Sequence, residues 1–130
     1  MIRLGANDKN PGRGLALLGF QVILFLFASL LHRGFIVGGY EHGKAAIAET
    51  VIGAVLLSGL LAAMRWSRSA RAVVIGVQAF ALVGTFVGAM MIVIGVGPRS
   101  PVDIAIHVIM FGTLIYGLLA AMGFLSRRPQ

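Results

Sequence analysis

Cysteine is absent from this 130-residue sequence, which excludes disulfides, thiol redox chemistry and thiolate metal sites. Charge is scarce, at 12% of residues, and acidic side chains are scarcer still: Asp8, Glu41, Glu49 and Asp103 are the whole set. The signatures of soluble enzymes are missing as well. There is no P-loop, no nucleotide-binding glycine motif, no nucleophile elbow and no HExxH. No internal repeat appears, and the polar residues 126–130 read as a short end.

What fills the sequence instead is hydrocarbon. Hydrophobic residues make up 58% of the chain, and the mean hydropathy is +0.96. A soluble domain of this size has too little interior to hide so much apolar surface. Four runs approach the roughly 20 residues needed to cross a bilayer: residues 14–31, 45–64, 72–96 and 102–125. Short connectors join them: a Gly-rich loop, "RWSRSAR" and "GVGPRSP". The expected fold is all-α, a single-domain integral membrane four-helix bundle over the whole chain.

The net charge of +7 would suggest a nucleic-acid partner in a polar chain. Here the basic residues flank apolar runs, so no nucleic acid is expected and the lipid bilayer is the primary partner. Arg3, Lys9, Arg13, Arg65, Arg68, Arg71, Arg127 and Arg128 fall on one side, against Arg33, Lys44 and Arg99 on the other. The positive-inside rule then places both termini in the cytoplasm, in a bacterial inner (cytoplasmic) membrane. Trp66 and Tyr40 suit interfacial anchors. The basic start followed by an apolar run also resembles a secretory signal, but the run is long for one and no small-x-small cleavage site follows it. The first helix is therefore expected to be retained.

The remaining polar residues gather in layers. His32, Glu41, His42, Glu49, Asp103 and His107 all belong to the outer third. "SPVD" is a helix start, with Ser100 as cap, Pro101 at the first position and Asp103 at the third, so Asp103 is expected to be structural. Glu41 and His42 read as loop residues. Glu49 lies too deep for capping and shares a small-residue face with Ala45 and Gly53, so it should point into the bundle. Ionisable groups inside membranes are functional candidates and have partners. By depth, His107 is the nearest candidate partner, followed by His32 and Arg33. The expected outcome is a polar pocket that clasps helices, binds a ligand or carries protons. Nearer the cytoplasm, Gln21, Ser58 and Gln78 are expected to make interhelical hydrogen bonds. Gly84 and Gly88 form a GxxxG pair for close helix packing, within the bundle or against another subunit. The methionines follow no copper-binding pattern and read as packing.

The order "LLHRGF", Gly-rich loop, "AETVIGAVLLSGLL" and basic turn resembles the DoxX-like group of small four-helix membrane proteins over residues 15–95. The resemblance implies that Glu49, Gly53 and Gly59 are the family's second-helix residues, His32 its first-helix polar residue and Arg33 its basic residue. The extension before the first helix departs from the pattern. The resemblance also implies an accessory subunit, with other membrane subunits or further copies as partners, and a pocket for quinone or another lipophilic molecule. Two alternatives stand beside it. His32 and His107 are suited to bind haem b from separate helices, or His32, His42 and His107 to bind zinc or copper with Glu49 or Asp103. Glu49 is also suited to proton or small-cation transport. "AIAETVIG" is similar to an element of small multidrug-resistance transporters, although their glutamate is on the first helix and this one is on the second.

Overall fold

The computed structural model describes residues 11–123. They form four helices, α1 (Pro11–His32), α2 (Gly43–Arg65), α3 (Ala70–Val93) and α4 (Pro101–Met122), with no strand among the described residues. Each helix packs against the next, and α1 closes the ring against α4. At 22 to 24 residues apiece, each spans about 33 Å or slightly more, enough to cross a bilayer. All four are also apolar enough to do so.

The outer surface supports the same solvent. Ile23, Leu61, Val83, Val108 and Tyr116 are all more than half exposed, and they represent all four helices. Apolar faces on every side would aggregate in water, whereas in lipid they are solvated. The chain is a multi-pass membrane protein. Because lipid does not squeeze apolar helices together, contact depends on close fit and interior polar groups. Leu18, Phe25, Leu56, Met110 and Leu114 fill the axis. Glycines let backbones approach: an ideal Cβ on Gly53 would lie 3.4 Å from Phe25 Cβ, and one on Gly84 would lie 2.7 Å from Ile52 Cδ1.

Several boundaries differ from those expected. The helices begin at residues 11, 43 and 70 instead of 14, 45 and 72, because polar and glycine residues continue the helical turns past the edge of the apolar run. At the other end α3 stops at Val93 and not at residue 96. Gly95 adopts φ +86°, and the N–H groups of Val96 and Gly97 both return to the Met91 carbonyl. The Arg99 guanidinium donates to the Ile92 and Val93 carbonyls at 2.9 and 3.1 Å. Residues 94–96 are as apolar as a helix, so hydropathy does not reveal the turn. α4 ends at Met122, with Gly123 left-handed at φ 81°; the expected last residues of this helix, 124 and 125, lie outside the described residues, as do Arg3, Lys9, Arg127 and Arg128.

Candidate functional site

The end of the bundle where α1 finishes is organised around His32, the last residue of that helix. Its Nδ1 lies 2.9 and 2.8 Å from the two carboxylate oxygens of Glu49 on α2. Its Nε2 lies 2.8 Å from Asp103 Oδ1 on α4. One imidazole therefore joins two carboxylates and three helices. His32 and Asp103 are each 1% exposed and Glu49 is 5% exposed, so water does not screen these contacts.

Local structure fixes each member. The Glu49 face was expected to turn inward, and Glu49 and Gly53 are buried. The capping box at the start of α4 is present: the Asp103 N–H donates to Ser100 Oγ at 3.1 Å, and the Ser100 N–H donates to Asp103 Oδ2 at 2.9 Å. The Ser100 hydroxyl also bonds to Oδ2. Asp103 thus caps its helix with one oxygen and holds His32 with the other. The His32 carbonyl accepts from the His42 N–H at 2.8 Å, which closes the Gly-rich loop over the site.

Hydrogen bonding fixes a minimum proton count. Each ring nitrogen of His32 faces one carboxylate and needs one proton shared with it, whichever of the two groups carries it. With two protons, the imidazole and both carboxylates carry a net charge of −1. A third proton neutralises them.

Of the candidate partners named for Glu49, His32 makes the contact, and His107, the nearest by depth, does not. His107 Nδ1 turns back to the Asp103 carbonyl of its own helix, at 2.8 Å, and His32 occupies the position against the carboxylate. His107 and Glu49 do face the same cavity. Arg33 is not a partner of Glu49 either: it is exposed, and its guanidinium bonds Ser29 Oγ and Thr50 Oγ1 at 3.4 and 3.1 Å. Ser29 and Thr50, which sequence reasoning did not single out, bond to each other at 2.8 Å and tie α1 to α2. His42 accepts from the Ala45 N–H through Nδ1, and its Nε2 contacts the Val96 carbonyl at 3.3 Å.

These contacts bear on metal and haem ligation. Both His32 nitrogens are engaged by carboxylates, so an axial pair of His32 and His107 lacks a free nitrogen on His32. Among the described residues, no group of three His, Cys, Asp or Glu side chains is arranged to hold a metal ion.

Below lies a second polar layer. Gln78 Nε2 donates to Gln21 Oε1 at 2.7 Å, and Gln21 Nε2 donates to the Thr113 carbonyl at 2.8 Å. The amide pair crosses the diagonal between α1 and α3. Gly117 makes room for it, since a Cβ there would lie 2.6 Å from Gln78 Nε2. Ser58 does not join this layer. It is exposed, and its hydroxyl donates to the Ala54 carbonyl of its own helix at 2.8 Å, because α2 turns it outward.

Beside the His32 cluster is a cavity of about 250 Å³, whose wall includes Phe25, Glu49, Ile52, Thr85, His107 and Met110. Lys44 and His42 also line it, and Lys44 is exposed. Gly84 and Gly88 line the α3 side. A shallower apolar groove between α2 and α3, lined by Val51, Ala54, Ser58, Val73 and Val77 among others, carries no ionisable group. Comparison of the chain with family models, curated proteins and solved structures found no match in any of the three.

Proposed function

We propose that this protein is an accessory membrane subunit whose outer-side cavity receives the head group of a quinone or similar lipophilic molecule. One observation carries the reading: a cavity of about 250 Å³ has walls built largely of apolar side chains, with the Glu49 carboxylate and His107 at its polar side. Pockets for whole drug-sized ligands begin near about 300 Å³, so this one suits a single-ring head group with its tail left in lipid. The basic-residue asymmetry supports cytoplasmic termini, and with them an outer-side cavity in a bacterial cytoplasmic membrane. The DoxX-like resemblance points the same way, and the small soluble surface favours a subunit over an independent enzyme.

Transport of protons or small cations is the second reading, favoured by the imidazole bridging two carboxylates. It is weakened by the axis below, where Leu18, Leu56 and Leu114 are fully buried around uncharged amides.

Equilibrium dialysis of the detergent-solubilised protein against a decyl-tailed benzoquinone and its hydroquinone tests the first reading. Saturable binding of at least one is expected. Gly88→Val should abolish it, because the new side chain starts 3.4 Å from His107 Nε2 and enters the cavity. Absence of saturable binding to the wild-type protein would remove the ligand reading. Purification in mild detergent tests the subunit reading, with a specific membrane complex as the expected outcome.

A further inference from the structure

We propose that the cavity selects the reduced, hydroxyl-bearing form of its ligand, a hydroquinone head group in preference to the corresponding quinone. The inference rests on the reading that a quinone-class head group enters this cavity, and it follows from where the hydrogens on the wall already point.

Three residues with polar side chains line the cavity interior: Glu49, Thr85 and His107. The Thr85 hydroxyl donates to the Ala81 carbonyl at 2.8 Å, so what remains for a ligand is lone pairs. His107 Nδ1 stands 2.8 Å from the Asp103 carbonyl. A carbonyl only accepts, so the proton of the neutral ring sits on Nδ1 and Nε2 is bare. Glu49 reaches the same condition by another route. With only the two protons that the His32 contacts require, the one in the Glu49 contact lies between Nδ1 and the carboxylate, and the other Glu49 lone pairs are left to accept.

The mouth adds little to this balance. His42 already uses Nδ1 to accept from Ala45 and directs Nε2 to the Val96 carbonyl. Lys44 is a donor, but it is exposed and belongs to the rim. With two protons on the His32 cluster and a neutral His107, the interior polar wall accepts and does not donate.

A hydroquinone offers O–H groups to such a wall. A quinone offers carbonyls, setting lone pairs against lone pairs and leaving both sides unsatisfied away from water. Sites built around a substrate hydroxyl discriminate steeply against the analogue that lacks it.

The test uses the full-length protein in detergent, under argon and at about pH 8, above the ordinary imidazole range. Decyl-benzoquinone and its hydroquinone are titrated separately. The hydroquinone should bind at least about tenfold tighter. For a two-electron couple, tenfold corresponds to a positive shift of about 30 mV in the bound midpoint potential. Thr85→Val keeps the shape but removes the hydroxyl lone pairs; it and His107→Leu should each weaken hydroquinone binding relative to quinone binding and so narrow the preference. Lys44→Gln should preserve the preference. Equal affinities, tighter quinone binding, or loss of the preference in Lys44→Gln would overturn the selectivity while leaving the cavity a ligand site. Saturable binding of neither probe would overturn both.

Discussion

His32 is held at both nitrogens by carboxylates from different helices, so the loss of either carboxylate exposes an interior imbalance. Glu49→Leu removes the carboxylate that holds His32 Nδ1 and is expected to destabilise the bundle by about 3 kcal/mol or more. Glu49→Gln keeps the shape and a hydrogen bond to the ring, and should cost about 1.5 kcal/mol or less. Thermal unfolding in detergent separates these outcomes; a Leu variant more stable than wild type would show that the carboxylate has no structural partner worth keeping. The capping role of Asp103 was legible in "SPVD", because caps are written in consecutive residues. Its bond to His32 was not. Depth in the membrane follows from counting along the chain, but the choice between His32 and His107 as the partner of Glu49 depends on how α1 and α4 are rotated about their axes. Nothing local in the sequence sets that rotation.

Helix contacts turn on which glycines face a neighbour. Gly84 meets Ile52 of α2, with an ideal Cβ only 2.7 Å from Cδ1, whereas a Cβ on Gly76 of the same helix meets nothing within 4 Å. Gly84→Leu is therefore expected to cost about 1–3 kcal/mol through overpacking, while Gly76→Ala should leave stability unchanged or slightly raised. Paired thermal-unfolding measurements check both, and equal effects would show that α3 is not seated on α2 as described. The GxxxG spacing announced Gly84 and Gly88 together; Gly84 meets α2, while Gly88 lines the cavity, where an ideal Cβ would lie 3.4 Å from His107 Nε2. Gly117 carried no such signal, since its neighbour is the Gln78 amide and not a second glycine at helical spacing. The four helices were legible from apolar length alone, whereas the end of α3 was not. There the stop is made by a left-handed glycine and by an arginine reaching back from beyond it, inside a stretch that remains apolar.

At the scale of the whole molecule, the loop after α1 and the turn after α2 lie at opposite ends of the bundle. Because the chain has no cysteine, single cysteines at Gly38 and Ser69 can be read without background. Gly38 is surrounded by open space and tolerates the change. An impermeant thiol reagent applied from outside is expected to label the first and spare the second; labelling of both would reject the four-span arrangement. The ring of helices also has a consequence for the order of synthesis. The first helix emerges carrying Gln21 and His32, yet Thr113 and Asp103, which complete their bonding, arrive on the last. A nascent chain must hold its earliest polar groups in waiting until its final span is inserted. Chains stopped before Pro101 should consequently be recognised as unfinished by membrane proteases, and a pulse-chase experiment should find them shorter-lived than the full-length protein.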